Sequence, residues 1–176
     1  MLKKAELTAA EIDQFVEIAG NSLVATLKAG RKKHEFFLSI MKQRPGAQRL
    51  FTTHVYPKGT VKIDLSQELP LEISEDGLPN SAAGACFLRN SVIYVPSTRH
   101  LSGIEITGVE KKDLRPIGLV YKPIKIEPGP SLLCVPVIKS GVVAAVLNIS
   151  SSKRDAFMVE DVDIGRLVAA LLHDCV

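Results

Sequence analysis

The three cysteines, Cys86, Cys134 and Cys175, are the first residues to weigh for chemistry. Their odd number and wide spacing make neither a disulfide framework nor a CxxC zinc pattern. Cys86 and Cys134 sit in apolar sequence, where a thiol packs as a small hydrophobic group. The competing reading is a redox or ligand-facing pair, which needs nearby positive charge and access. Cys175, next to the last residue, reads as inert. A second cluster, Ser97-Thr98-Arg99-His100, follows Pro96 directly. Its hydroxyls can donate, and the Arg99 fork suits a carboxylate or phosphate. It is either an ordinary polar loop or part of a binding loop. Phe87, Tyr94 and Tyr121 have core packing as their ordinary reading. His34, His54, His100 and His173 lack metal-ligand spacing, so no metal site is expected. No nucleophile elbow, phosphate loop or paired carboxylate is present, so no catalytic residue and no cofactor are assigned. Arg31, Lys32, Lys33 and His34 form the only dense basic run. It reads as a solvated helix end, with an anionic-lipid or nucleic-acid contact as the alternative.

These residues must be positioned by a chain of 176 residues, enough for one domain with a sizeable core. A net charge of +3 is far from that of a dedicated nucleic-acid binder. No apolar run approaches the roughly 18 residues of a membrane span. The basic start MLKKAELTAAE has no apolar segment behind it, so it is not a signal peptide. The expected setting is the cytoplasm, with neither membrane nor nucleic acid as a partner.

The strongest structural signal is Ser131 to Ser151. Two apolar runs, SLLCVPVI and VVAAVLNIS, flank a Lys-Ser-Gly turn in which Gly141 supplies a positive φ. They predict a hairpin in the middle of a sheet, covered on both faces. Toward the N-terminus, Thr8-Ala9-Ala10-Glu11 is a capping box. Ile12, Phe15, Val16, Ala19, Leu23 and Leu27 continue as an apolar helical stripe, stopped at Gly30. The stretch from Arg31 to Arg44 reads as a second short helix or a continuation of the first, ended by Pro45-Gly46. Residues 1–45 are thus expected to be a helical segment, with a domain over 46–176. Gln48 to Val55 and Val61 to Leu65 read as a second hairpin, and Glu68 to Asn80 as a loop. A small-residue helix from Ser81 to Arg89 leads through Asn90-Ser91 into a strand, Val92 to Val95. Ser97 to Pro130 reads as a long lid-like connection with two short strands, Gly103 to Thr107 and Leu119 to Ile126. The last helix carries Glu160, Asp161 and Asp163 in its first turn. Ile164, Leu167, Val168, Leu171 and Leu172 are its expected apolar face.

Four pieces of this order resemble the GAF domain, the small-molecule sensing module related to the PAS fold. They are Ala83-Gly84 leading through Arg89-Asn90 to Val92-Ile93-Tyr94-Val95-Pro96; Ser131 to Val137, with its V-P step; Gly141 with Val142 to Ser151; and Phe157-x-x-x-Asp161 before the last helix. The resemblance covers roughly Ser81 to Leu172. It implies an α+β fold: a central antiparallel sheet of five to six strands, the N- and C-terminal helices on one face, and a short helix and loops over the other. It also implies a pocket between sheet and lid, with Phe87, Tyr94, Ser97, Thr98, Arg99, Tyr121, Ser131 and Cys134 as ligand-binding candidates. On this reading the chain is a non-enzymatic sensory domain, a homodimer that signals through its terminal helices to a separate effector. A ligand-free dimerisation module is the alternative, and a thiol enzyme resembling free methionine sulfoxide reductase is a further one.

The chain departs from the family at defined places. Ala145 stands where the family usually has Gly. Cyclic-nucleotide binders carry an Asn-Lys pair ahead of the Phe and Asp, where this chain has Ser151-Ser152. Bilin-attaching members place a Cys in the loop that here offers His100. The tryptophan and acidic loop motif of the reductases are missing. The first helix has two open readings: its stripe covers the sheet, or Ile12, Val16, Ala19 and Leu23 pair with a twin helix.

Overall fold

The computed structural model describes residues 8–31, 33–58, 68–71, 79–97, 102–108, 113–119 and 131–176. Three helices and eight strands follow in the order α1 Ala9–Lys28, β1 Phe36–Gln43, β2 Arg49–Tyr56, β3 Glu68–Pro70, α2 Ala82–Arg89, β4 Val92–Val95, β5 Ser102–Ile106, β6 Leu114–Gly118, β7 Ser131–Lys139, β8 Val142–Ser151 and α3 Val159–Leu172. The strands form one antiparallel sheet in the order β3-β2-β1-β8-β7-β4-β5-β6. The α+β class holds, with eight strands instead of the expected five to six.

The β7–β8 hairpin lies at the centre, as its two-sided apolar pattern requires. Its two-residue turn places Ser140 at φ 53 and Gly141 at φ 83. Positive φ at both positions is the primed turn that matches strand twist. Pairing with β4 ends at Cys134, so Pro136 lies past that ladder and interrupts nothing on that side.

The stretch 36–43, expected to be helix, is strand β1, between β2 and β8. The chain reads Phe36-Phe37-Leu38-Ser39-Ile40-Met41, and both faces of this strand are covered. A strand buried on both sides has no alternation, so it mimics a short buried helix in sequence. Pro45-Gly46, expected to end a helix, is the turn between β1 and β2. The helical segment therefore ends at Lys28. Glu68–Pro70, expected as loop, pairs with β2 as the edge strand β3. The strand expected over 61–65 lies outside the described residues. So does 120–126 of the strand expected over 119–126, whereas Leu114–Gly118 just before it forms β6.

α1 and α3 cover one face of the sheet, and α2 the other. The Thr8 capping box opens α1: Glu11 N–H donates to Thr8 Oγ1, and Thr8 N–H donates to Glu11 Oε2. The α1 stripe lies on the sheet, with Val16, Leu23 and Leu27 buried and Gly20 against the Tyr56 ring. The spacing that suggested pairing with a twin helix is thus used by the core. In α3, Val162, Gly165, Val168, Ala169 and Leu172 face inward, while the expected core residues Leu167 and Leu171 are 63% and 53% exposed. On the opposite face, Ser81 caps α2 by accepting from Gly84 N–H. Ala82, Ala83, Gly84 and Ala85 are all buried, so the helix lies close on the sheet. Among the described residues no helix is long and apolar enough to cross a membrane.

Candidate functional site

On β7, Leu133, Val135 and Val137 point to the α1/α3 side, and Leu132 and Cys134 to the α2 side. Alternation on β8 puts Leu147 and Ile149 with the former, and Val146 and Asn148 with the latter. In register, Ser39 of β1, Asn148 of β8 and Cys134 of β7 form one row across the three central strands. The row is hydrogen-bonded: Cys134 Sγ donates to Asn148 Oδ1 at 3.4 Å, and Asn148 Nδ2 donates to Ser39 Oγ at 3.3 Å. Ser39 Oγ in turn donates to the Asn148 carbonyl at 3.4 Å. Cys134 and Ser39 are buried, whereas Asn148 is half-buried, as are Phe37 and Ser150 beside it. An amide has two N–H groups and two lone pairs. Asn148 therefore keeps one of each beyond its partners in the row.

Two of the eight candidates come together here: Cys134 in the row and half-buried Phe87 on α2, packed against the same cluster. Two lie on the other side of the sheet. Tyr94 packs edge-on to Phe157 with centroids 6.0 Å apart, and burial raises its hydroxyl pKa to about 12. Ser131 is fully buried in line with Leu133, and its hydroxyl donates to the Lys153 carbonyl at 2.7 Å. Ser97 is buried just after β4. Thr98, Arg99 and Tyr121 lie outside the described residues. Asn148 and Ser39 were not among the candidates. Their signal was one polar residue inside each apolar run, VVAAVLNI and FFLSIM. A buried polar group in such a place requires partners.

The thiols are protonated at neutral pH. Burial raises Cys134 to about 12 and Cys86 well above its usual value, with Cys134 pushing Cys86 the same way. All three cysteines are free. Among the described residues no group of three or more His, Cys, Asp and Glu could hold a metal ion.

The Phe157 and Asp161 motif has a partner that sequence reading did not supply. Arg31, expected as part of a solvated helix end, reaches Asp161 with both arms of its guanidinium, at 2.8 and 2.9 Å. The pair is 16% and 3% exposed. Arg31 also donates to the Ala156 carbonyl at 3.2 Å and lies over the Phe36 ring. Asp161 accepts as well from Met158 N–H at 2.7 Å, closing the first turn of α3. The end of α1 is thereby tied to the start of α3.

A separate groove of about 600 Å³ opens between α3 and the β4–β5 hairpin. Its walls include Val92, Ile106, Ala169 and Ala170, with Arg166 and His173 at the helix side.

No protein-family model matches the chain, and no curated protein sequence matches it. Solved structures do. A type II free methionine-R-sulfoxide reductase from Thermoplasma acidophilum superposes with a TM-score of 0.59 at 15% identity, over 93% of this chain and 94% of that one. Residues 122 to 287 of a methyl-accepting chemotaxis protein give 0.59 at 17% identity, over 95% and 93%. The GAF domain of an Acinetobacter phosphoenolpyruvate-protein phosphotransferase gives 0.58 at 16% identity, over 95% and 89%. The fold is GAF-like. At these identities the likeness is one of fold alone. A GAF-like fold is shared here by sensor domains and reductases, so function must be argued from the site.

Proposed function

We propose that this chain is a GAF-like sensory or regulatory domain. It binds a small molecule on the α2 face of the central strands and transmits the change through α1 and α3 to a separate effector. The supporting observation is the row Ser39–Asn148–Cys134. A buried amide among apolar strands is costly unless satisfied. This one is half-buried, keeps a spare donor and acceptor, and has the half-buried Phe37 and Phe87 on the same side of the sheet. Its neighbours among the described residues are neutral, which suits an uncharged polar ligand with its own donor and acceptor edge. Arg99, whose fork suits a carboxylate or phosphate, lies outside the described residues.

We read the domain as non-enzymatic. A thiol reductase needs an accessible thiolate. Cys86 and Cys134 are both fully buried, with pKa values raised by that burial. Three free thiols suit a reducing compartment, and we assign the domain to the cytoplasm. Thermal-shift and calorimetric screens with nucleobases, nucleosides, amino acids and organic acids test the reading. A neutral ligand should raise the melting temperature, and Asn148→Leu should remove that shift. Turnover of free methionine sulfoxide with a dithiol reductant would overturn it.

A second reading, a dimerisation module without ligand, has its own support. Phe15 and Ile18 on α1 and Leu167 and Leu171 on α3 are exposed apolar residues on the paired terminal helices. We assign a homodimer to this surface. On the second reading, light scattering finds a dimer, Ile18→Glu with Leu167→Glu dissociates it, and no compound stabilises the fold.

A further inference from the structure

We propose that the groove between α3 and the β4–β5 hairpin is a second binding site, for a small amphiphilic monocarboxylate. On the α1/α3 side of the sheet, α1 lies over β1 and β2 and α3 over β7. The outer strands on that side have no helix among the described elements to cover them. Val92 is buried there, Ile104 and Ile106 are half-buried, and Leu114 is exposed. The groove at this step is about 600 Å³, within the range of about 300–1,000 Å³ typical of small-molecule sites. Its walls are apolar where Val92, Ile106 and Ala169 meet, and the small side chains of Ala169 and Ala170 keep it open.

One charged side chain dominates its edge. Arg166 is 33% exposed, so its guanidinium is partly desolvated. Its contacts are long: 3.5 Å to the Gly108 carbonyl and 3.8 Å to Asp163 Oδ1. Normal N–H···O distances run about 2.7–3.2 Å. Most of its five donors are therefore unused among the described residues. A guanidinium fork is matched by a carboxylate, and a partly desolvated charge-assisted pair is strong. The charge balance selects a monoanion over a phosphate dianion. Asp163 stands at the same edge, and the second basic group, His173, has Asp174 3.3 Å from its Nε2. An aliphatic or aryl body would rest on Val92, Ile106 and Ala169. This site lies across the sheet from the Asn148 row, and neither depends on the other.

The test is a titration of isotope-labelled protein with sodium octanoate, followed by amide chemical shifts, with octanol and octylamine as chain-matched controls. Octanoate should give saturable shifts centred on Val92, Ile106, Ala169 and Ala170. Arg166→Gln should weaken it by about tenfold or more, and the controls should bind no better than to that variant. Ala170→Leu, at an exposed helix position, should fill the groove and abolish binding with the fold intact by circular dichroism. Shifts that do not saturate, shifts centred on Asn148 and Phe87, or equal binding of octanol and octanoate would each overturn the proposal.

Discussion

Adjacent residues of β7 meet opposite surroundings. Leu133, Val135 and Val137 face the helix α3 side through large apolar side chains and lie in one cluster with Phe36, Leu147 and Phe157. Cys134, one position along, faces small residues on α2 and belongs to a hydrogen-bonded row. The first face is close-packed and tied by Arg31 and Asp161. The second trades volume for polar groups, and parts of it stay half-buried. Close packing resists change, because removed volume leaves a cavity. A face with small residues and spare hydrogen-bonding capacity can accept another molecule instead. On the proposed reading, the same strand serves stability on one side and recognition on the other.

The two faces should respond to substitution to different degrees. Arg31→Ala should have the largest effect, because it leaves the Asp161 carboxylate buried and unpaired. Losing one partner of a buried pair costs about 3–5 kcal/mol, and urea denaturation should show a loss of this order. A loss near zero would mean that the two helices are not held at this point. Leu133→Ala should cost about 2–5 kcal/mol, the usual range for a core leucine. Cys134→Ala, the next residue, should cost only about 1 kcal/mol, so the difference between the two variants reads the asymmetry of the faces directly. Equal losses would mean that the two faces are packed alike.

Gly20→Ala probes the packing of the helix side. A Cβ there would run into a ring carbon of Tyr56. Overpacking of this kind costs about 1–3 kcal/mol, although alanine is the better helix former. Thermal unfolding should show a lower midpoint. A raised one would show that the Tyr56 ring moves freely, and that the helix side is looser than it looks.

The smallest expected effect is one of pH. Burial lowers the pKa of His54 from 6.5, partly offset by Asp13 on α1. The unfolded chain then binds a proton more readily than the folded one. This contribution is complete above the unfolded value and declines as pH falls through 6.5 toward the lower folded value. Stability measured from pH 8 to 5 should fall at the acid end, and His54→Gln should flatten that fall. An unchanged profile in the variant would assign the acid loss to other groups.

Much of the frame was legible from sequence. Local rules sufficed for the Thr8 capping box, the Ser140-Gly141 turn, the small-residue helix α2 and the strand ending at Pro96. Each depends on residues a few positions apart. β1 was not legible, because Phe36 to Met41 lacks the alternation of a half-exposed strand. The faces of α3 were only partly legible. Leu167 and Leu171 look like core, but the helix rotates Gly165 and Ala169 inward to let Val135 and Ile149 approach.

Local sequence is enough to say which segments turn, cap and pair with their neighbours, because those choices rest on backbone dihedrals and nearby residues. The hairpin at Ser131 to Ser151 was also marked as the centre of the sheet, through its largely apolar composition. What the polar residues do depends on how distant segments meet in the fold. Arg31 meets Asp161 across 130 positions, and Ser39 meets Asn148 across 109. Contacts at such separations are set by strand order and helix placement, which no local pattern encodes. Arg31 looked like a solvated cation and Asn148 like one residue of an apolar run until the sheet brought their partners beside them.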